Sequence, residues 1–163
     1  MITNFIAELQ HESANTRKML EKVPNDKLSW KPHEKSMSLG RLASHIAQIP
    51  MWFERILTAD EFDFSKSAYK TVPAGSVSEI LEQFDDKINK SLQLLGDTSD
   101  EKLDQAFTLR NADKIYFTLP KKVMLRNFSY NHVYHHRGQL SVYLRLLGIP
   151  VPGMYGPSAD ESM

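Results

Sequence analysis

Residues 131–139, Asn-His-Val-Tyr-His-His-Arg-Gly-Gln, hold His132, His135 and His136, half of the six histidines in the chain. His132 and His136 are four positions apart, a spacing that stacks two imidazoles on one helix face about one turn apart. Two rings so placed can bind one metal ion, and few structural needs bring them together otherwise. A third histidine, His45, lies in another apolar segment that also reads as helix. These residues point to a helical protein with a metal site.

With Phe128 as the reference direction and about 100° per residue, His132 falls near ~40°, His136 near ~80°, Gln139 near ~20°, Tyr143 near ~60° and Leu146 near ~0°. Polar rings thus occupy the stripe that Phe128 and Leu146 mark as core-facing. A buried imidazole needs partners for both ring nitrogens; a metal supplies one and a neighbouring acceptor the other. A single histidine on an apolar face is more often a hydrogen-bonded core residue, but a pair plus a third on another helix departs from that pattern. His135 points about 100° away from His136, so it lines a pocket and serves as a candidate catalytic group, orients a ligand, or covers a neighbouring helix. His11 and His33 have no companions and read as surface or hydrogen-bonded residues. Gln48 and Trp52 follow His45 on roughly its face and, with Gln139 and Tyr143, are candidates for a substrate pocket, with core packing the commoner role for the tryptophan. Arg137 and Arg145 are candidate anion grips, although helix arginines are usually solvated or paired.

Four segments of helical periodicity must position these side chains. The first runs from about Ile2 to Val23 and ends at Pro24-Asn25-Asp26. The second runs from about Ser38 to Leu57, capped by Ser36 or Ser38 and kinked where Pro50 removes an amide donor. The third runs from Val77 to Leu95, capped by Ser76 or Ser78 and stopped by Gly96. The fourth runs from Lys121 to Leu147, with Pro120 before it and Gly148 after it. Between the third and fourth, Phe107-Thr108-Leu109 and Ile115 to Leu119 flank a polar turn and read as a short hairpin that must pack on the helices. The long connection from Thr58 to Ser76, which carries Phe62, Phe64 and Tyr69, allows a crossover. The expected fold is all-α, a four-helix bundle with long crossover connections.

The chain has 163 residues, 41% apolar and 25% charged, which suits one soluble domain over residues 1–163 with a real core. Twenty basic residues cancel twenty acidic ones, so nucleic acid is not an expected partner. The lack of cysteine removes disulfides, thiolate ligands and a cysteine nucleophile, and fits a reducing compartment. The first residues do not pair a basic flank with an apolar run, and no stretch nears the ~20 apolar residues that span a bilayer. A cytoplasmic protein with no membrane partner is expected.

Several motifs together resemble the DinB/YfiT-like family: Leu28-Ser29-Trp30-Lys31-Pro32; Ser36-Met37-Ser38-Leu39-Gly40 leading to His45; His132-x-x-x-His136-Arg137-Gly138-Gln139; Tyr143 to Pro152; and Tyr155-Gly156-Pro157. The resemblance covers nearly the whole chain and is weakest from about Asp60 to Lys114. It implies a four-helix bundle, often a homodimer, with a divalent metal held by three histidines, carried over to His45, His132 and His136. Characterised relatives of this kind include thiol-dependent S-transferases and a mycothiol-dependent isomerase, and many members with no known reaction are described as metal-dependent hydrolases.

Three neutral imidazoles leave a coordination position open, the catalytic rather than the structural pattern, and suit zinc, nickel, iron or copper. Two reactions follow. Metal-activated water can attack an ester or amide, which calls for a carboxylate base; the inner trio Val133-Tyr134-His135 has none. Alternatively a low-molecular-weight thiol, favoured as thiolate by the cation, attacks a small electrophilic substrate. Without cysteine, that sulfur must arrive with a cosubstrate. The expected activity is therefore thiol transfer, with hydrolysis, or a non-catalytic metal-stabilised binding or dimer module, as the alternatives.

Overall fold

A computed structural model describes residues 1–67 and 73–161. Helix α1 (Ile2–Leu20) buries Phe5, Leu9, Thr16, Met19 and Leu20 along one stripe. The chain then turns through Asn25–Lys27, and the Asn25 side-chain oxygen accepts a 2.8 Å bond from the Val77 amide. Helix α2 (Leu39–Gln48) starts at Ser38, whose hydroxyl accepts from the Arg41 amide and satisfies one of the free donors of the first turn. The Leu28-to-Trp30 segment lies directly against this start: the Leu39 amide donates to the Trp30 carbonyl at 2.7 Å and the Gly40 amide to the Leu28 carbonyl at 2.9 Å. A Cβ on Gly40 would meet the Leu28 side chain and carbonyl at 3.1 Å, so the close approach favours glycine there.

Pro50 separates α2 from α3 (Met51–Thr58), since it has no amide to continue the ladder. Helix α4 (Val77–Gly96) is capped by the Ser76 hydroxyl accepting from Glu79. A short helix, α5 (Asp100–Asp104), leads to a pair of strands. Strand β1 (Glu61–Asp63) pairs parallel with β2 (Ala106–Asn111), which pairs antiparallel with β3 (Lys114–Pro120). Ala112 takes a positive φ of 51° in the β2–β3 turn. The chain continues into α6 (Lys121–Leu125), a π-helical turn (Arg126–Asn131) and α7 (His132–Leu146). Gly148, at φ +70°, ends this run, a left-handed conformation that suits glycine.

Helices α1, α2 and α3 all pack on α4; α7 packs on α1 and α2, and α6 on α3. One apolar core joins them, including Leu20, Leu42, Ile46, Phe53, Phe84, Leu125 and Leu140. The sheet attaches through buried Phe107 and Leu109. Lys121, buried at the start of α6, donates to the Ile56 carbonyl at 2.9 Å and to the Ala59 carbonyl, and pairs with Asp60. Its charge therefore sits at the C-terminal end of α3, where the helix dipole is negative.

The fold is mostly helical and includes a three-stranded sheet, so the all-α class describes only its helical part. The expected hairpin is β2–β3; the third strand comes from the Thr58-to-Ser76 connection, where three residues gave no periodic signal. Tyr69 of that connection lies outside the described residues. The fourth helix is not continuous α-helix: the π-helical turn widens it just before His132. This turn changes the phase between Phe128 and everything beyond it. The core stripe of α7 is Val133, His136, Arg137, Leu140 and Leu144, while Leu146 is 61% exposed. The assignment of Leu146 to the core is thereby corrected.

Candidate metal centre

His45 comes from the last turn of α2, and His132 and His136 from the first turns of α7. Because α2 and α7 pack together, the three rings converge. Ring centroids lie 5.0 Å apart for His45–His132, 4.5 Å for His45–His136 and 4.8 Å for His132–His136. One ligand nitrogen from each falls within 4.8 Å of the others. The Nε2 atoms of His45 and His132 face each other at 3.1 Å. A tetrahedral ion with nitrogen ligands at ~2.0–2.1 Å separates its ligand atoms by roughly 3.3 Å, so this pair fits a shared cation. Among the described residues, the group contains no carboxylate.

The opposite edge of one ring is also held. His136 Nδ1 donates to Gln139 Oε1 at 2.7 Å, which leaves Nε2 with its lone pair for an ion. The backbone of Phe128 lies beside the His132 ring and favours its charged form. The π-helical turn ends here, with the His132 amide donating to the Ser129 carbonyl. Such turns recur at functional sites.

Burial disfavours charge on all three rings. It holds His45 down to about 4, helped by the neighbouring His136 and His132 rings and by Arg41. Burial also brings His132 to about 4, with His136 adding to the effect and the Phe128 carbonyl opposing it. His136 is lowered by burial too, partly offset by its bond to Gln139. At neutral pH the triad is therefore uncharged, the protonation state that binds a metal.

The remaining candidates take varied positions. His135 is exposed; its ring lies 4.9 Å from His136 and its Nε2 is 3.1 Å from Gln139 Nε2. Gln139 thus bridges the two histidines rather than standing alone in a pocket wall. Gln48 is half-buried on α2. Trp52 is 4% exposed and packs against Phe62, Phe64 and Phe128. Tyr143 donates to the Met37 carbonyl at 3.2 Å and meets Trp30 edge-on. His11 and His33 are exposed.

Arg137 does not face the triad. Buried at 4% exposure, it pairs with Glu12 Oε2 at 2.7 Å and donates to Thr16 Oγ1 at 3.0 Å and the Tyr155 hydroxyl at 2.5 Å. Arg145 pairs with Asp160 through both terminal nitrogens. Glu12 is the partner that sequence reasoning missed. Its signal was a carboxylate on the apolar stripe of α1, between Leu9 and Thr16.

The pattern that defines the DinB family matches residues 1–163. The chain belongs to the DinB family. Two Bacillus subtilis (strain 168) proteins, both described as uncharacterized, resemble this DinB chain. YrdA is 26% identical over 162 residues, covering 98% of this chain and 91% of YrdA. YjoA is 26% identical over 143 residues, covering 86% of each. The crystal structure of a DinB-like protein from Bacillus cereus ATCC 10987 superposes with a TM-score of 0.73 at 24% identity, over 93% of this chain and 95% of that one. The crystal structure of YjoA gives 0.69 at 21% identity, over 90% and 95%. These likenesses show a DinB fold. No described helix is long and apolar enough to cross a membrane.

Proposed function

We propose that this DinB chain is a metal-dependent enzyme that transfers a low-molecular-weight thiol to a small electrophilic substrate. The observation that carries the reading is three neutral imidazoles from two helices, grouped with no fourth protein ligand and no carboxylate among the described residues. His45, His132 and His136 would hold a divalent zinc, nickel or iron ion, within four helical members (α1, α2–α3, α4, α6–α7) read as a bundle. Such an ion supplies positive charge and an open position that favour thiolate over thiol. Gln139 keeps the His136 ring oriented. In the transfer a C–S bond forms, the leaving group departs with its electron pair, and the thiol proton passes to solvent. Exposed His135, beside the triad, is the candidate to receive that proton first.

Hydrolysis is the second reading, and the carboxylates weigh against it. Glu8 pairs with Arg126 and accepts from Tyr134, and Glu12 is bound by Arg137 and Tyr155, so neither is a ready base. The test loads the protein with one defined metal and runs a thiol-plus-electrophile panel beside a chromogenic ester panel. Metal-dependent thiol consumption supports transfer; ester turnover without thiol supports hydrolysis. Stabilisation by metal with no turnover in either panel leaves a structural role that ties α2 to α7.

A further inference from the structure

Strand β3 presents three consecutive large apolar side chains to solvent: Ile115 at 59%, Tyr116 at 41% and Phe117 at 49% exposure. Edge strands usually carry charge there, and a contiguous exposed apolar patch marks an interaction site where single exposed residues would not. The patch leads to the metal centre. The Phe117 ring lies 6.4 Å from the Phe128 ring, and Phe128 lines a shallow recess with Asn127, Asn131, His132 and His135. An apolar wall thus runs from the hairpin to His132, the member of the triad that lines the recess.

The wall is braced from behind. Trp52, buried, packs on Phe128 at 5.4 Å, and Tyr116 meets Phe64 at 6.4 Å. Rings fixed in this way offer a preformed face, which lowers the ordering cost of binding. Among the described residues, the recess lining has no lysine, arginine or carboxylate; the two asparagines provide neutral polar groups. A charged moiety would lose hydration there without a compensating partner, whereas a flat apolar one would bury area and stack.

Resting on the reading of the triad as a metal centre, we propose that the Phe117–Phe128 wall binds an uncharged aromatic group of the substrate, holding its reacting atom at the histidines. Continuity with the recess favours a small molecule over a second copy of the chain as the occupant.

Two metal-directed probes that differ only in their tails test this: acetohydroxamate and benzohydroxamate, titrated calorimetrically into zinc-loaded protein. Benzohydroxamate is expected to bind about tenfold more tightly or better. In F117S that ratio falls toward one while zinc content stays stoichiometric, and in F117Y it is retained. Phe117 is half exposed, so its replacement spares the core. Equal affinities in zinc-loaded wild type overturn the proposal and leave the metal reading intact. Failure to take up zinc overturns both. A preference that survives F117S, with sedimentation showing a dimer converted to monomer by that substitution, assigns the patch to a second copy and overturns it too.

Discussion

His132 and His136 carry the chemistry, and the prediction at this scale is direct. His132→Ala or His136→Ala should abolish stoichiometric metal binding, while His33→Ala, in the exposed loop before α2, should not; metal analysis of untagged protein checks this. Gln139→Leu removes the acceptor on His136 Nδ1 and should weaken metal affinity by about 10–100-fold, the usual effect of losing such a support. The pH dependence has a definite sign. His45 and His132 sit near 4 in the fold, against an ordinary value of 6.5. Below pH ~6.5 the unfolded chain takes up protons that the folded chain refuses. The metal-free protein should therefore be fully stabilised by these neutral rings above pH ~6.5 and lose that contribution as pH falls toward ~4. Thermal melts across that window check it, and His45→Ala should flatten the slope.

Two features of the elements govern the site. The first is the π-helical turn Arg126–Asn131, which resets the helix phase just before His132. The one-turn histidine pairing was legible because His132 and His136 both lie in α7, after the turn. The inference from Phe128 through to Leu146 failed because it crossed the turn, and no residue type announces such a widening. The second is the α1–α7 clamp. Arg137 and Glu12 form a buried pair, and Tyr155 of the tail donates to the same carboxylate at 2.9 Å. Arg137→Met leaves Glu12 buried and unpaired and should destabilise by about 3–5 kcal/mol. The double variant with Glu12→Leu should recover much of that loss in chemical denaturation. Recovery would show that the penalty lies in the orphaned charge rather than in lost packing.

At the scale of the molecule, a cation shared by α2 and α7 would join elements far apart in sequence. Chelation should lower the melting temperature; with free metal at ~100 times Kd the linkage is about 2.7 kcal/mol, or roughly 5–10 °C for a chain of this size. An unchanged melt after verified metal removal would contradict a bridging ion. The sequence alone determined the helical segments, their serine caps and proline breaks, the β2–β3 hairpin and the spacing of the paired histidines, because these depend on interactions within a few residues. Only tertiary structure decided that His45 meets the pair, that Glu12 answers Arg137 and that β1 joins the sheet. Those contacts depend on how faces pack across 87, 125 and roughly 47 residues of chain, a distance over which local periodicity carries no information.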